Sequence, residues 1–205
     1  GILSYINIFF QGGFLLKHTF KSLFIAFCLL LMGTAAAFAA PVEKTVIMDD
    51  SFDLSSIHTI AIAMPNYIEN EKSPKLDEVI KALAQSGFDS RSVKHLTIIP
   101  YSVIAKNIQA ETGKDLQTLD KNEAKSLFTA QVKKYADAYL VLTAAKDSRV
   151  VMFYDLYSAK DNKYLYSYEV IGGGQGDNNL RSYTTFNDMF YDAFAQSVKD
   201  QKKTK

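Results

Sequence analysis

The sequence is poor in the residues that most often anchor chemistry. Its 205 residues include one cysteine, three histidines, four prolines and no tryptophan. The cysteine, Cys28, lies inside the apolar run Leu23–Met32. Within the chain that follows Ala39 no disulfide can form, and thiolate metal sites are excluded. His58 and His95 stand far apart, each at the start of an apolar run, and no H-E-x-x-H cluster is present. Charge of one sign is lacking as well, with 23 basic against 22 acidic residues. That balance leaves no electrostatic footprint for nucleic acid.

What is present begins with an export signature. Lys17 and Lys21 precede the apolar run Leu23–Met32, Gly33 and Thr34 follow, and Ala37-Phe38-Ala39 fits the small-x-small cleavage pattern. Cleavage after Ala39 is expected, with Ala37 and Ala39 as the recognised positions. A cut one residue later would place Pro41 first, where its ring suits the protease poorly. The run of about ten residues falls short of the roughly twenty that span a bilayer. Phe27 before Cys28, and the distance from Cys28 to Ala39, do not fit lipid attachment. Residues 1–16 put a second apolar stretch ahead of the basic segment, and are expected to be translated upstream sequence or an artificial leader. The expected organisation is residues 1–16 as leader, 17–39 as signal peptide and 40–205 as one domain. Membrane contact is then transient, and the location periplasmic or secreted.

Beyond Ala39 there are 166 residues, enough for one ordinary core. Without Lys17 and Lys21 they carry 21 basic and 22 acidic residues, a net charge of −1. Residues 42–50 alternate weakly and read as a short opening strand or an extended lead-in, and His58–Met64 as a firm strand, closed by Pro65-Asn66. Ser73-Pro74 opens a helix whose stripe is Leu76, Val79, Ile80 and Leu83, with Gly87 at its close. His95–Pro100 is a second strand, and Ser102 caps a helix that Gly113 ends. Asp120 and Glu123 form a capping box for the next helix. Ala138–Ala144 reads as a buried strand. Arg149–Tyr157 and Lys163–Ile171 flank SAKDN as an antiparallel hairpin. A last helix starts at Thr185 with Phe186, Met189, Phe190, Ala193 and Val198 inward. Lys199, Lys202, Lys203 and Lys205 read as a frayed tail. The fold class is α+β, a mixed sheet in the order β-α-β-α-α-β-β-β-α with helices packed on it.

The stretch Leu96–Ala144 resembles bacterial envelope domains related to the TolB amino-terminal domain and CsgG. The matching pieces are the strand Thr97–Pro100, Glu111-Thr112-Gly113 at a helix end and Ala136-Asp137-Ala138 entering a central strand. Phe52–Asn66 resembles their first strand, and the hairpin with Asp155 and SAKDN their late strands. The chain has neither the lipobox and channel hairpins of CsgG proteins nor the propeller of TolB. The resemblance implies a non-catalytic module that binds other envelope components.

Tests for chemistry return little. In GGGQGDNN, residues 172–179, there is no Gly-Lys-Ser/Thr, and Asp177 would repel a phosphate. The stretch reads as a connector, and no cofactor is implied. Asp49, Asp50 and Asp53 lack the glycine and distal glutamate of a calcium loop. No G-x-S-x-G elbow nominates a serine nucleophile. Tyrosine is the distinctive feature. Tyr164, Tyr166 and Tyr168 alternate, so all three are expected on one strand face, with Tyr154 and Tyr157 on opposite faces of the partner strand. Such a stripe either grips a peptide, glycan or subunit, or packs under a helix.

The expected function is an exported envelope binding or assembly module, contacting another envelope protein or itself, with Tyr164, Tyr166 and Tyr168 as the contact. The alternatives are a periplasmic hydrolase with a dispersed site, or a small-ligand carrier with an apolar cavity under the sheet.

Overall fold

In a computed structural model the described residues form the expected order β-α-β-α-α-β-β-β-α with one further strand, Glu43–Met48, ahead of it. The structure describes residues 43–71, 73–85, 96–146, 150–172 and 179–204. Ala37, Ala39, Cys28, Gly87, His95 and residues 173–178 of the glycine-rich stretch lie outside the described residues. By its contacts Pro41–Lys205 is one unit.

The strands are β1 (Glu43–Met48), β2 (Thr59–Ile62), β3 (Thr97–Ile99), β4 (Ala138–Lys146), β5 (Val150–Ser158) and β6 (Tyr164–Ile171). They form one sheet in the order β1-β6-β5-β4-β2-β3. β2 runs parallel to β3 and β4, whereas β4, β5, β6 and β1 run antiparallel in turn. The helices are α1 (Leu76–Gln85), α2 (Tyr101–Thr112), α3 (Lys121–Gln131) and α4 (Leu180–Thr204).

Register assigns the faces, because residues opposite one another share a side. Ile62, Leu140, Leu156, Tyr166 and Met48 form one row, and Leu142, Tyr154, Tyr168 and Val46 the next. α4 covers this side. Phe190 stacks on Tyr154 with centroids 5.1 Å apart, and Phe194 meets Tyr166 edge-on at 5.5 Å. α1 lies beside α4, tied by the Tyr191 hydroxyl, which donates to the Leu83 carbonyl at 3.0 Å. On the other side Phe128 of α3 meets Tyr139 edge-on at 5.7 Å and lies 6.5 Å from Tyr101 of α2. The two helix pairs therefore occupy opposite faces of the sheet.

Helix starts differ from the sequence pattern in an instructive way. α1 begins at Leu76, where the Glu69 and Glu78 carboxylates accept from Leu76 N and Lys75 N. Ser73 instead closes a turn with Asn70. Pro100 precedes α2, and Ser102 falls inside its first turn. Asp120 caps α3 as expected, accepting from Asn122 N at 2.9 Å and Glu123 N at 3.1 Å. α4 starts five residues before Thr185, because Asn179 accepts from Ser182 N at 3.0 Å and supplies the cap. Up to Thr204 the expected frayed tail is helix instead, with Lys202 and Lys203 in the last turn of α4, where cations suit the helix dipole; Lys205 lies outside the described residues.

Candidate functional site: an uncovered sheet face

The tyrosine stripe is divided by the fold. Tyr166 and Tyr168 are buried beneath α4, in ring contact with Phe190. Tyr164 lies on the opposite side, because the pairing of β5 with β6 slips by one residue between Leu156 and Tyr157. The slip places Tyr164 opposite Tyr157 and leaves Leu165 as the extra residue of a bulge. Asn162, in the left-handed region at φ 58°, turns the hairpin just before it. The expectation that all three tyrosines share a face is thus corrected. Tyr154 and Tyr157 do fall on opposite faces: Tyr154 packs on Phe190, Tyr157 on Tyr139.

On its own side Tyr164 closes an aromatic ladder across three strands. Tyr139 and Tyr157 stack at 5.3 Å, and Tyr157 meets Tyr164 edge-on at 5.8 Å. The ladder starts under α3 at Phe128 and runs out to Tyr164, which is 38% exposed. Further along the strands the same face carries two more rows, each running from β4 to β1. One is Val141, Asp155, Ser167 and Ile47; the other is Thr143, Phe153, Glu169 and Thr45. Val141, Phe153, Asp155 and Glu169 are half-buried and Ile47 is exposed. Ser167 donates to Asp155 Oδ1 at 2.7 Å, and Asn66 Nδ2 donates to Thr143 Oγ1 at 3.1 Å. Among the described residues this surface sets Val141, Phe153 and Ile47 between hydroxyls and two carboxylates, in rows next to the ladder that α3 meets at Tyr139.

The motif residues serve position. Burial pushes the Asp137 carboxyl up, but bonds from His58 N, Thr59 N and the Thr59 hydroxyl outweigh it and hold the group below its ordinary value. Asp137 thereby pins the start of β2 to the start of β4. Glu111 at the end of α2 accepts from Lys134 and from the Tyr135 hydroxyl, which is pushed up to about 12 by that carboxylate. Gly113 takes φ 71° and ends α2, its N–H donating to Gln109 O at 2.8 Å. His58 is exposed, with Nδ1 2.8 Å from the Ser56 carbonyl.

The acidic cluster proves to be turn chemistry. Asp49 accepts from Ser51 N and Oγ, and Asp53 caps the 3-10 turn Leu54–Ser56 through Ser55 N. Among the described residues no three His, Cys, Asp or Glu side chains are placed to hold a metal ion. Among the same residues no helix is long and apolar enough to cross a membrane.

Sequence reasoning missed two polar residues. Gln201 of α4 accepts from Leu54 N and donates to Phe52 O, each at 3.0 Å. Asn187 is fully buried on α4, and among the described residues neither its Oδ1 nor its Nδ2 has a hydrogen-bond partner. Its polarity in an apolar stripe was the only signal, and it reads equally well as an outward residue.

Comparison with known proteins adds distant likenesses. No family model matches the chain, and no curated protein does. Among solved structures it is similar to the PelC dodecamer from Paraburkholderia phytofirmans, at 11% identity over 76% of this chain and 98% of that one, with a TM-score of 0.42. It is also similar to the LpoB C-terminal domain from Escherichia coli, at 11% identity over 58% of this chain and 98% of that one, with a TM-score of 0.39. The TolB-like and CsgG-like motifs remain a resemblance, carried by Glu111, Gly113 and Asp137 in positional roles.

Proposed function

We propose that this chain is an exported, non-catalytic binding and assembly module of the bacterial envelope. Its partner is another envelope protein, and the contact is the uncovered face of β4, β5, β6 and β1. The observation that carries this reading is the half-buried pair of rows through Phe153 and Asp155, in which Val141, Phe153 and Ile47 stand among hydroxyls and two carboxylates. Such a face suits an apolar segment that also carries lysine or arginine. The export signature supports the location, and the net charge of −1 over residues 40–205 supports a protein rather than a nucleic acid. The non-catalytic assignment is supported by the engagement of Asp137 and Glu111 in holding strand and helix ends.

The test is a crosslinking pull-down from native envelope with the chain from Ala40 and with its Phe153→Glu variant. The expected result is one envelope protein captured by the unaltered chain and lost with Phe153→Glu, at unchanged far-UV circular dichroism. Capture that survives Phe153→Glu would move the contact off this face. A chain that captures nothing would turn the reading towards a ligand carrier or a hydrolase.

A further inference from the structure

The rows through Asp155 and Phe153 carry two acids and no base. Gly172 N donates to Val150 O at 2.8 Å, which makes the even-numbered residues of β5 the hydrogen-bonded partners of β6. Phe153–Glu169 and Asp155–Ser167 are therefore the non-bonded pairs, in which side chains stand closest across an antiparallel ladder. Together Asp155, Ser167, Glu169 and Phe153 form a square, with the two carboxylates at opposite corners. Ser167 donates to Asp155 Oδ1 at 2.7 Å. Among the described residues no lysine or arginine pairs with Asp155 or Glu169, and Glu169 accepts no hydrogen bond. Both acids are half-buried, a setting in which a carboxylate without a counter-charge is costly.

We infer that this square seats one arginine side chain of the partner, in a segment with an apolar residue two positions to either side. The inference rests on the reading that this face is the contact, and specifies what docks there. Charge complementarity selects a base, because two acids share a surface whose rows hold no cation of their own. Shape selects arginine over lysine. A planar guanidinium has five donors, enough to reach carboxylates at opposite corners while lying over the Phe153 ring at a third. The lysine ammonium is a more strongly hydrated point charge, and loses more on entering a half-buried site. The flanks follow from strand spacing. Val141 and Ile47 end the row through Asp155, on β4 and β1, three strand spacings or roughly 14 Å apart. An extended segment laid across the strands advances roughly 13 Å in four residues, with positions i, i+2 and i+4 on one side. Its apolar ends then fall on Val141 and Ile47. The central residue falls midway between β5 and β6, over the square. The pattern that fits is apolar-x-Arg-x-apolar.

The test titrates the chain from Ala40, since Pro41–Lys205 is one unit with its own core. The probes are acetyl-Leu-Ser-Arg-Ser-Leu-amide and its lysine counterpart, followed by amide NMR shifts at low salt. The arginine peptide is expected to shift Val141, Asp155, Ser167, Glu169 and Ile47, and to bind about tenfold more tightly than the lysine peptide. Glu169→Gln leaves the Ser167–Asp155 bond untouched and should weaken binding about tenfold, as should Asp155→Asn, each with its urea midpoint retained. A chain whose signals stay still up to millimolar peptide overturns the inference. So does equal binding of the two peptides, or binding indifferent to both neutral variants. Envelope capture separates this failure from failure of the contact reading. The double variant Asp155→Asn, Glu169→Gln is expected to lose the partner. Capture that is lost with Phe153→Glu but kept by the double variant leaves the face as the contact and removes the arginine. Capture that survives Phe153→Glu removes the face, and the arginine with it.

Discussion

The antiparallel strands β5, β6 and β1 and the parallel pair β2–β3 meet on either side of β4, and they are fastened by different chemistry. In the antiparallel half, rings do the packing. Tyr154, Tyr166 and Tyr168 from the sheet close on Phe190 and Phe194 of α4 within 6.3 Å, centroid to centroid. In the parallel half the buried side chains are small and aliphatic, Ile60, Ala61, Ile62 and Ala138. There the strand and helix ends are set by polar clamps, Asp137 on β2 and Glu111 on the turn before β4. Ring packing depends on volume and is indifferent to pH near neutrality. Carboxylate clamps depend on charge and are lost in acid.

The comparison can be broken most forcefully at one tyrosine. Tyr166→Ser removes a fully buried ring from beneath α4 and should cost about 3–5 kcal/mol, read from urea unfolding. Tyr164→Ser, two residues away but on the other face, should cost about 1 kcal/mol or less. Equal costs would mean that the bulge does not divide the stripe.

A smaller effect separates the two halves by pH. Asp137 is held below its ordinary value, so its contribution is full above the unfolded carboxyl value of about 3.9 and fades as pH falls through the lower folded value. Asp137→Ala should cost about 1–2 kcal/mol at neutral pH, discounted because the carboxylate is exposed. The variant should also lose less stability than the parent between neutral pH and about pH 3. Parallel acid limbs for the two proteins would remove the clamp from the account.

The smallest expected change sharpens the aromatic half. Asn187 is fully buried without a partner among the described residues, and Asn187→Leu should leave stability unchanged or raise it by about 1 kcal/mol. A clear loss in thermal unfolding would mean that water or a ligand serves the amide.

Much of the scaffold was legible along the chain. The stripe Leu76, Val79, Ile80 and Leu83, the Asp120 cap and the Gly113 stop are local signals, each acting within one or two turns of backbone, and each appears where the pattern placed it. Helix starts were less legible. Serine at Ser73 and Ser102 suggested caps, but Glu69, seven residues before Leu76, reached the first turn of α1 by a fold of the loop. The proposed contact face was legible only in part. Alternation assigned Phe153 and Tyr157 to one side, but which side the helices would leave uncovered depends on where α2, α3 and α4 dock.

Local sequence set the order of the four helices and of the five strands from β2 onward, the alternation of β5 and the stop of α2 at Gly113. Those depend on backbone preferences and on spacing within a single element. Tertiary structure alone decided that Tyr166 and Tyr168 are core while Tyr164 looks the other way. One extra residue in β6 reverses every side chain beyond it, and that residue is extra only in relation to β5, across the hairpin. Strand pairing likewise decided that β1 stands at an edge with Lys44, Val46 and Met48 turned outward. Those peptide groups point outward because β6 engages the alternate ones, a relation that no stretch of sequence contains.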